Sequence, residues 1–187
     1  MGMRLPSALL AACLCACGPP RQQTFFFSFE GSLQGWTQQG LDLAYGGAQE
    51  AWSITSDPTT PYDGGSSARF SLDDQNGTGK IWLERTFSLS SGGHHVAHLD
   101  FAALGTRDAI AADRLIVGVL PAPPRNADAL QPALQPPGIA GSTWTSHSYD
   151  FDLTGSAATV VIGISGATPG QIVYHLDALT VLFADAP

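Results

Sequence analysis

Every thiol of this 187-residue chain lies in "LAACLCAC", where Cys13, Cys15 and Cys17 alternate. A structural zinc ion takes four ligands, usually as two separated pairs. Three cysteines at every second position fit it badly, and a disulfide between cysteines two apart would close a strained ring. The next constellation is "HHVAH", with His94, His95 and His98. On a strand His94 and His98 share a face but stand about 13 Å apart, too far to chelate one ion without a neighbouring strand. Gly92 and Gly93 oppose the helix that would close that gap, so surface histidines near a hairpin are the better reading. In "YDFDL", Asp150 and Asp152 alternate with Tyr149 and Phe151 and read as a polar outer face. There is no nucleophile elbow, since "GISGATPG" lacks its spacing, and no phosphate-binding loop or dinucleotide fingerprint. Glu30, Glu50 and Glu84 sit in no recognisable carboxylate-pair context. Catalysis is disfavoured.

The flanks of the cysteines give them another meaning. Arg4 precedes a short apolar run from Leu5 to Ala16, and Gly18, Pro19 and Pro20 break it at once. That is secretory signal architecture, too short to span a bilayer as a mature helix. Its end resembles a bacterial lipobox, whose cysteine is lipidated and becomes the mature N-terminus. Cys17 gives the better apolar length and meets the Gly-Pro-Pro break, while Cys13 fits the consensus better. The expected organisation is a lipoprotein signal over 1–16, a lipidated N-terminus and tether over 17–24, and one domain over 25–187. Acyl chains would then hold the protein at the bacterial cell envelope. The net charge of −8 and the single lysine, Lys80, argue against nucleic acid and against electrostatic docking on anionic lipid.

The elements that must position any site are strands. "SARFSL" (67–72), "KIWLERTFSL" (80–89), "HVAHLDFAAL" (95–104) and "SHSYDFDL" (146–153) alternate in period two, the mark of strands with one face on a core. "TFFFSFE" (24–30), "AWSIT" (51–55), "RLIVGVL" (114–120), "ATVVIGIS" (158–165) and "IVYHLDALTVLF" (172–183) are further strands, with "PYDGG", "QNGTG" and "LTGS" among the turn signals between them. This predicts an all-β antiparallel sandwich. Only 106–115 could support a brief helix. The segment 121–138, rich in proline, cannot be a central strand and reads as a tolerated insertion more than as a functional loop.

Three stretches, read in order, carry a family resemblance: "FSFEGSLQGW" (27–36), "YDGGSSARFSL" (62–72) and "YHLDALTV" (174–181), supported by "STWTSHSYDFDL" (142–153). Together they resemble galactose-binding-like β-sandwiches, the jelly rolls of carbohydrate-binding modules. The resemblance implies a structural calcium ion joining the first and last strands, with Glu30 and Asp177 at the matching ligand positions. Calcium takes six to eight oxygens in irregular geometry. Local hydrogen bonding by the two carboxylates is the alternative. The resemblance also implies non-catalytic recognition of carbohydrate, or else an adhesive module binding a surface protein. A lipid-anchored hydrolase ranks below both.

In such a domain aromatic faces contact sugar. Trp36 and Trp144 fall where side chains pack inward. Trp82 is out of phase with Ile81, Leu83 and Phe87, so it should point away from the core beside Lys80 and Glu84. If the adjacent strand pairs alongside, His98 and Asp100 share that surface, and Trp82, Glu84, His98 and Asp100 form a glycan platform. Otherwise a loop such as 121–138 covers Trp82.

Overall fold

The computed structural model describes residues 21–89, 92–105, 113–137 and 142–186. Cys13 and Cys17, with the whole expected signal and most of the tether, lie outside the described residues, as does most of the brief helix expected over 106–115. Twelve strands run in the order β1 (Gln22–Phe27), β2 (Thr37–Leu41), β3 (Ala44–Tyr45), β4 (Ala48–Gln49), β5 (Trp52–Asp57), β6 (Ser67–Asp74), β7 (Lys80–Ser88), β8 (His94–Gly105), β9 (Arg114–Leu120), β10 (Thr145–Thr154), β11 (Ala157–Ser165) and β12 (Gly170–Asp185). Between β9 and β10 lie a one-turn helix α1 (Ala127–Leu130) and a 3₁₀ turn Gln131–Ala133.

Ten of these strands form two antiparallel sheets, and β3 and β4 pair separately as a two-stranded one. The first has the order β10-β8-β12-β6-β5, with β1 also paired to β12; the second has the order β2-β7-β11-β9. Between them the alternating residues meet: Phe70 and Leu72 of β6, Leu99 and Phe101 of β8, and Val181 and Phe183 of β12 pack against Ile81 and Leu83 of β7 and Val160 and Ile162 of β11. The expected antiparallel β-sandwich is therefore observed. The central strand β11 is buried on both faces, which explains why its sequence is a continuous apolar run rather than an alternation.

"FSFEGSLQGW" builds a compact turn. Gln34 accepts from the Phe29 N–H at 2.9 Å through Oε1, and Trp36 N–H bonds Leu33 O at 3.0 Å. The turn delivers Trp36 edge-on to Phe27 with ring centroids 5.2 Å apart, so Trp36 is a core residue as expected. Trp144 is not. It is half-buried and packs against Tyr62 at 5.4 Å between centroids.

The 121–138 insertion does more than fill a gap. Asn126 caps α1 by accepting from Ala129 N–H at 2.9 Å, and Leu130 and Ala133 are fully buried on the outer face of the second sheet. Gly118 permits this, because a Cβ there would fall 2.6 Å from the Ala133 Cβ. The chain then covers the open edge of β9: Leu134 bridges Ile116, and Gln135 bonds Leu115 O and Val117 O. An edge strand shielded in this way offers no template for another chain.

Candidate functional site

Trp82, Glu84, His98 and Asp100 do not form one surface. β7 belongs to the second sheet and β8 to the first, so the two pairs occupy opposite outer faces of the sandwich. Trp82 does point away from the central core, as its phase required, but it is only 3 % exposed. It packs with Ile116, Leu120, Leu130, Ala133 and Val161 beneath α1 and the 3₁₀ turn. Glu84 is buried beside it and fully engaged: Oε1 accepts from Gln39 Nε2 at 3.1 Å and Arg125 Nη1 at 2.9 Å, and Oε2 accepts from Trp82 Nε1 at 3.3 Å. The platform expected at Trp82 and Glu84 is thus covered by 121–137, the alternative that the sequence left open.

The other pair stands in the open. His98 bridges two carboxylates, with Nδ1 2.6 Å from Asp150 Oδ1 and Nε2 2.9 Å from Asp100 Oδ2. Cross-strand register sets this up: Asp150 on β10 lies opposite His98, and Ser148 lies opposite Asp100. The hydrogen bond to Asp150, reinforced by the charge of Asp100, holds the imidazole above its ordinary range against a smaller opposing effect of burial. Ser148 Oγ lies 3.4 Å from Nε2, so serine, imidazole and carboxylate are all present. They do not make a hydrolytic triad, because a base must offer Nε2 as an acceptor. Here each ring nitrogen is engaged by a carboxylate, Nε2 by Asp100 and Nδ1 by Asp150, so neither stands free to take a proton from Ser148. Asp150 lies on the polar outer face as the sequence indicated. His95 departs from the surface reading, being buried between Gly155 O and Asp185.

Next to this cluster is a cavity of about 340 Å³, lined by Tyr62, Asp100, Ala102, Ser146, Ser148 and Ala178 among others. Tyr62 is 50 % exposed. Its ring packs against Trp144, tilted by 56°, and Asp100, Ser146 and Ser148 line the same cavity. The site combines an aromatic ring with short polar side chains.

Asp177 and Glu30 hold that aromatic in place. Asp177 is fully buried at a register shift in β12, and Ala178 after it takes φ +52°, the left-handed region that a non-glycine residue rarely adopts. Asp177 Oδ2 accepts from the N–H groups of Tyr62 at 2.9 Å and Asp63 at 3.0 Å, and Oδ1 accepts from Ala178 N–H at 2.7 Å. Glu30 Oε1 accepts from Gly65 N–H at 2.8 Å. From the other side Ser67 Oγ donates to Thr60 O at 2.7 Å and so must accept from His175 Nδ1 at 3.0 Å, which fixes the tautomer of that buried histidine.

The same bonds decide how well calcium suits Glu30 and Asp177. The two carboxylates do converge on one loop, but Asp177 Oδ2 is filled by two N–H donors and Oδ1 is shared with a third. Glu30 Oε2 and one lone pair of Asp177 fall far short of six to eight oxygens. Among the described residues no group of three or more His, Cys, Asp or Glu side chains is placed to hold a metal. The side chains of this pair do not fit calcium as they stand; they clip the loop with N–H donors.

In the sequence Tyr62 stands out only as part of the "YDGG" turn signal, and Trp144 only as core. An aromatic beside a polar turn was the available sign for each.

No protein-family model matches the sequence, and no curated protein is significantly similar to it. Solved structures are similar in fold. A xylan-binding family 22 carbohydrate-binding module from Paenibacillus barcinonensis superposes with a TM-score of 0.52 at 15 % identity, over 87 % of this chain and 95 % of that one. A family 61 module in complex with β-1,4-galactotriose gives 0.51 at 12 %, over 82 % and 92 %. The K1 cleaved adhesin domain of Lys-gingipain from Porphyromonas gingivalis gives 0.54 at 17 %, over 85 % and 97 %. The protein shares the antiparallel β-sandwich fold of these carbohydrate-binding modules and of the adhesin domain.

Proposed function

We propose that this protein is a non-catalytic binding domain that takes carbohydrate against Tyr62, carried on the bacterial cell envelope by a lipidated Cys17. The observation that carries the reading is the cavity at Tyr62, whose half-exposed ring packs against Trp144 and shares the lining with Asp100, Ser146 and Ser148. A pyranose presents C–H groups on one face and hydroxyls at its rim. The ring would take the first, and the carboxylate and serines would take the second. The modules similar in fold that are described as xylan-binding or bound to galactotriose make β-linked plant-type oligosaccharides the first ligands to try. His98 keeps its place in this reading as the group that orients Asp100.

Affinity electrophoresis in gels containing galactan or xylan, followed by a glycan array, tests the proposal. Retardation of the wild-type domain and its loss in Tyr62→Ala are expected. Absence of any glycan ligand, together with capture of a surface protein by the same face, would establish the adhesive reading, to which the fold of the gingipain adhesin domain lends support. Mass spectrometry of the mature N-terminus checks the anchor: a diacylglyceryl group on Cys17 is expected, and one on Cys13 would move the cleavage site.

A further inference from the structure

The cavity at Tyr62 has a charge as well as a shape. The adjacent strands β1, β12, β8 and β10 contain no lysine and no arginine, and neither does the segment 58–66 that carries Tyr62. Aspartates are plentiful there. Asp100 lines the cavity, Asp150 and Asp152 project from β10 on the same outer face, and Asp63 follows Tyr62 in its loop. The side chain of Asp100 is 50 % exposed and the other three are open to solvent. Asp177, which holds the loop, adds a carboxylate that is answered by N–H groups and not by a cation.

One group opposes this charge. His98 touches both Asp100 and Asp150, so even as an imidazolium it balances only one of the two carboxylates. The lysine and arginines among the described residues lie elsewhere. Arg69 on β6 faces Asp57 at 3.6 Å, across β12 from β8, and Arg21 stands at the far end of β1, where its carbonyl accepts from Asp185 N–H at 3.1 Å. Lys80, Arg85, Arg114 and Arg125 belong to the second sheet or its cover. Repulsion between like charges a few ångströms apart in water is enough to change affinity roughly fivefold. A sugar hydroxyl escapes it, because it can donate to a carboxylate. A carboxylate or sulfate on the sugar has no proton to offer and meets no cation here.

We infer that the Tyr62 cavity selects uncharged glycans and turns away those bearing carboxylate or sulfate groups, with Asp100 as the specificity-determining residue. This selectivity rests on the carbohydrate reading of the same cavity and adds the class of sugar to it.

Two ligands that differ only in charge test it: a β-1,4-galacto-oligosaccharide and the same chain oxidised to a carboxylate at C6 of every residue. Each is titrated calorimetrically against the full domain at low salt and in about 1 M NaCl, where screening shortens to about 3 Å. At low salt the neutral chain should bind at least about fivefold more tightly, and high salt should bring the preference below about twofold. Asp100→Asn should bring the low-salt preference below about twofold as well. Should that variant lose affinity for both chains, Thr180→Lys keeps Asp100 and His98 and places a cation opposite Asp100, and it should narrow the preference by a similar factor. Equal binding of the two chains by the wild-type domain at low salt overturns the inference and leaves the carbohydrate reading intact. A preference that survives high salt and both variants also overturns it, since shape rather than charge would then reject the acid. Binding of neither chain overturns it too, and a glycan array that is also empty overturns the carbohydrate reading beneath it.

Discussion

The two outer faces of this sandwich carry similar residues and use them in opposite ways. On the second sheet Trp82, Glu84 and Gln39 form an aromatic and polar group that could meet a ligand, but α1 and the 3₁₀ turn lie over it and Arg125 ties Glu84 to the cover. On the first sheet Tyr62, Asp100 and Ser148 form a comparable group around an open cavity. The difference lies in the connections between strands. The one after β9 is long and places Leu130 and Ala133 on the face. Above the first sheet the loop that carries Tyr62 is drawn back by Asp177 and leaves the ring half-exposed. An outward-pointing aromatic on a strand is thus a binding residue only when no connection returns across it.

Substitutions on the two faces should separate stability from binding, and the largest effect belongs to the covered face. Trp82→Ala would empty a packed site and cost about 3–5 kcal/mol, enough to threaten folding at 37 °C, measurable by urea denaturation. Asp177→Ala comes next. It strands the N–H groups of Tyr62, Asp63 and Ala178, at a cost of about 3 kcal/mol and a drop of roughly 10 °C in Tm by calorimetry, and it should weaken glycan binding because Tyr62 is released. Arg125→Ala removes one donor from Glu84, which keeps Gln39 and Trp82, and should cost about 1 kcal/mol with glycan binding unchanged.

The histidines give a pH contrast within the first sheet. His98 holds its proton more tightly folded than unfolded, so its contribution is complete below the ordinary histidine range and is lost as pH rises through the elevated folded value. For His175 burial acts the other way, despite Asp57, and lowers its affinity for the proton. Its contribution is complete above the ordinary range and is lost as pH falls toward the depressed folded value. Melting curves from pH 5 to 8 should therefore flatten at the alkaline side in His98→Gln and at the acid side in His175→Gln. A variant pair with superimposable profiles would show that neither histidine titrates as its surroundings require.

Much of the fold was legible because alternation and turn signals report directly on a half-buried strand. β9 occupies the expected 114–120, and β8, β10 and β11 extend their expected spans by only a residue or so at an end. β2, with the sequence TQQGL, was missed since it shows no apolar alternation; it joins its sheet through main-chain pairing with β7. The phase of Trp82 was read correctly, yet direction is local information and cover is not. Nothing in residues 80–89 states that Leu130 and Ala133 will return to that face. Asp177 announced itself as an acid inside an apolar run, while its partners were N–H groups, which a sequence does not display. Tyr62 was hidden for the same reason: a turn residue acquires a role only when the fold brings β8, β10 and the β12 bulge around it.

The central claim is that ligand meets the first sheet at Tyr62 and not the second at Trp82. Calorimetric titration of galactan- and xylan-derived oligosaccharides against the wild-type domain, Tyr62→Ala and the conservative core variant Trp82→Phe tests it most directly. Binding that is lost in Tyr62→Ala and retained in Trp82→Phe is the predicted result. Binding retained in Tyr62→Ala and lost in a folded Trp82→Phe would contradict it, and would mean that the segment over Trp82 opens to admit ligand.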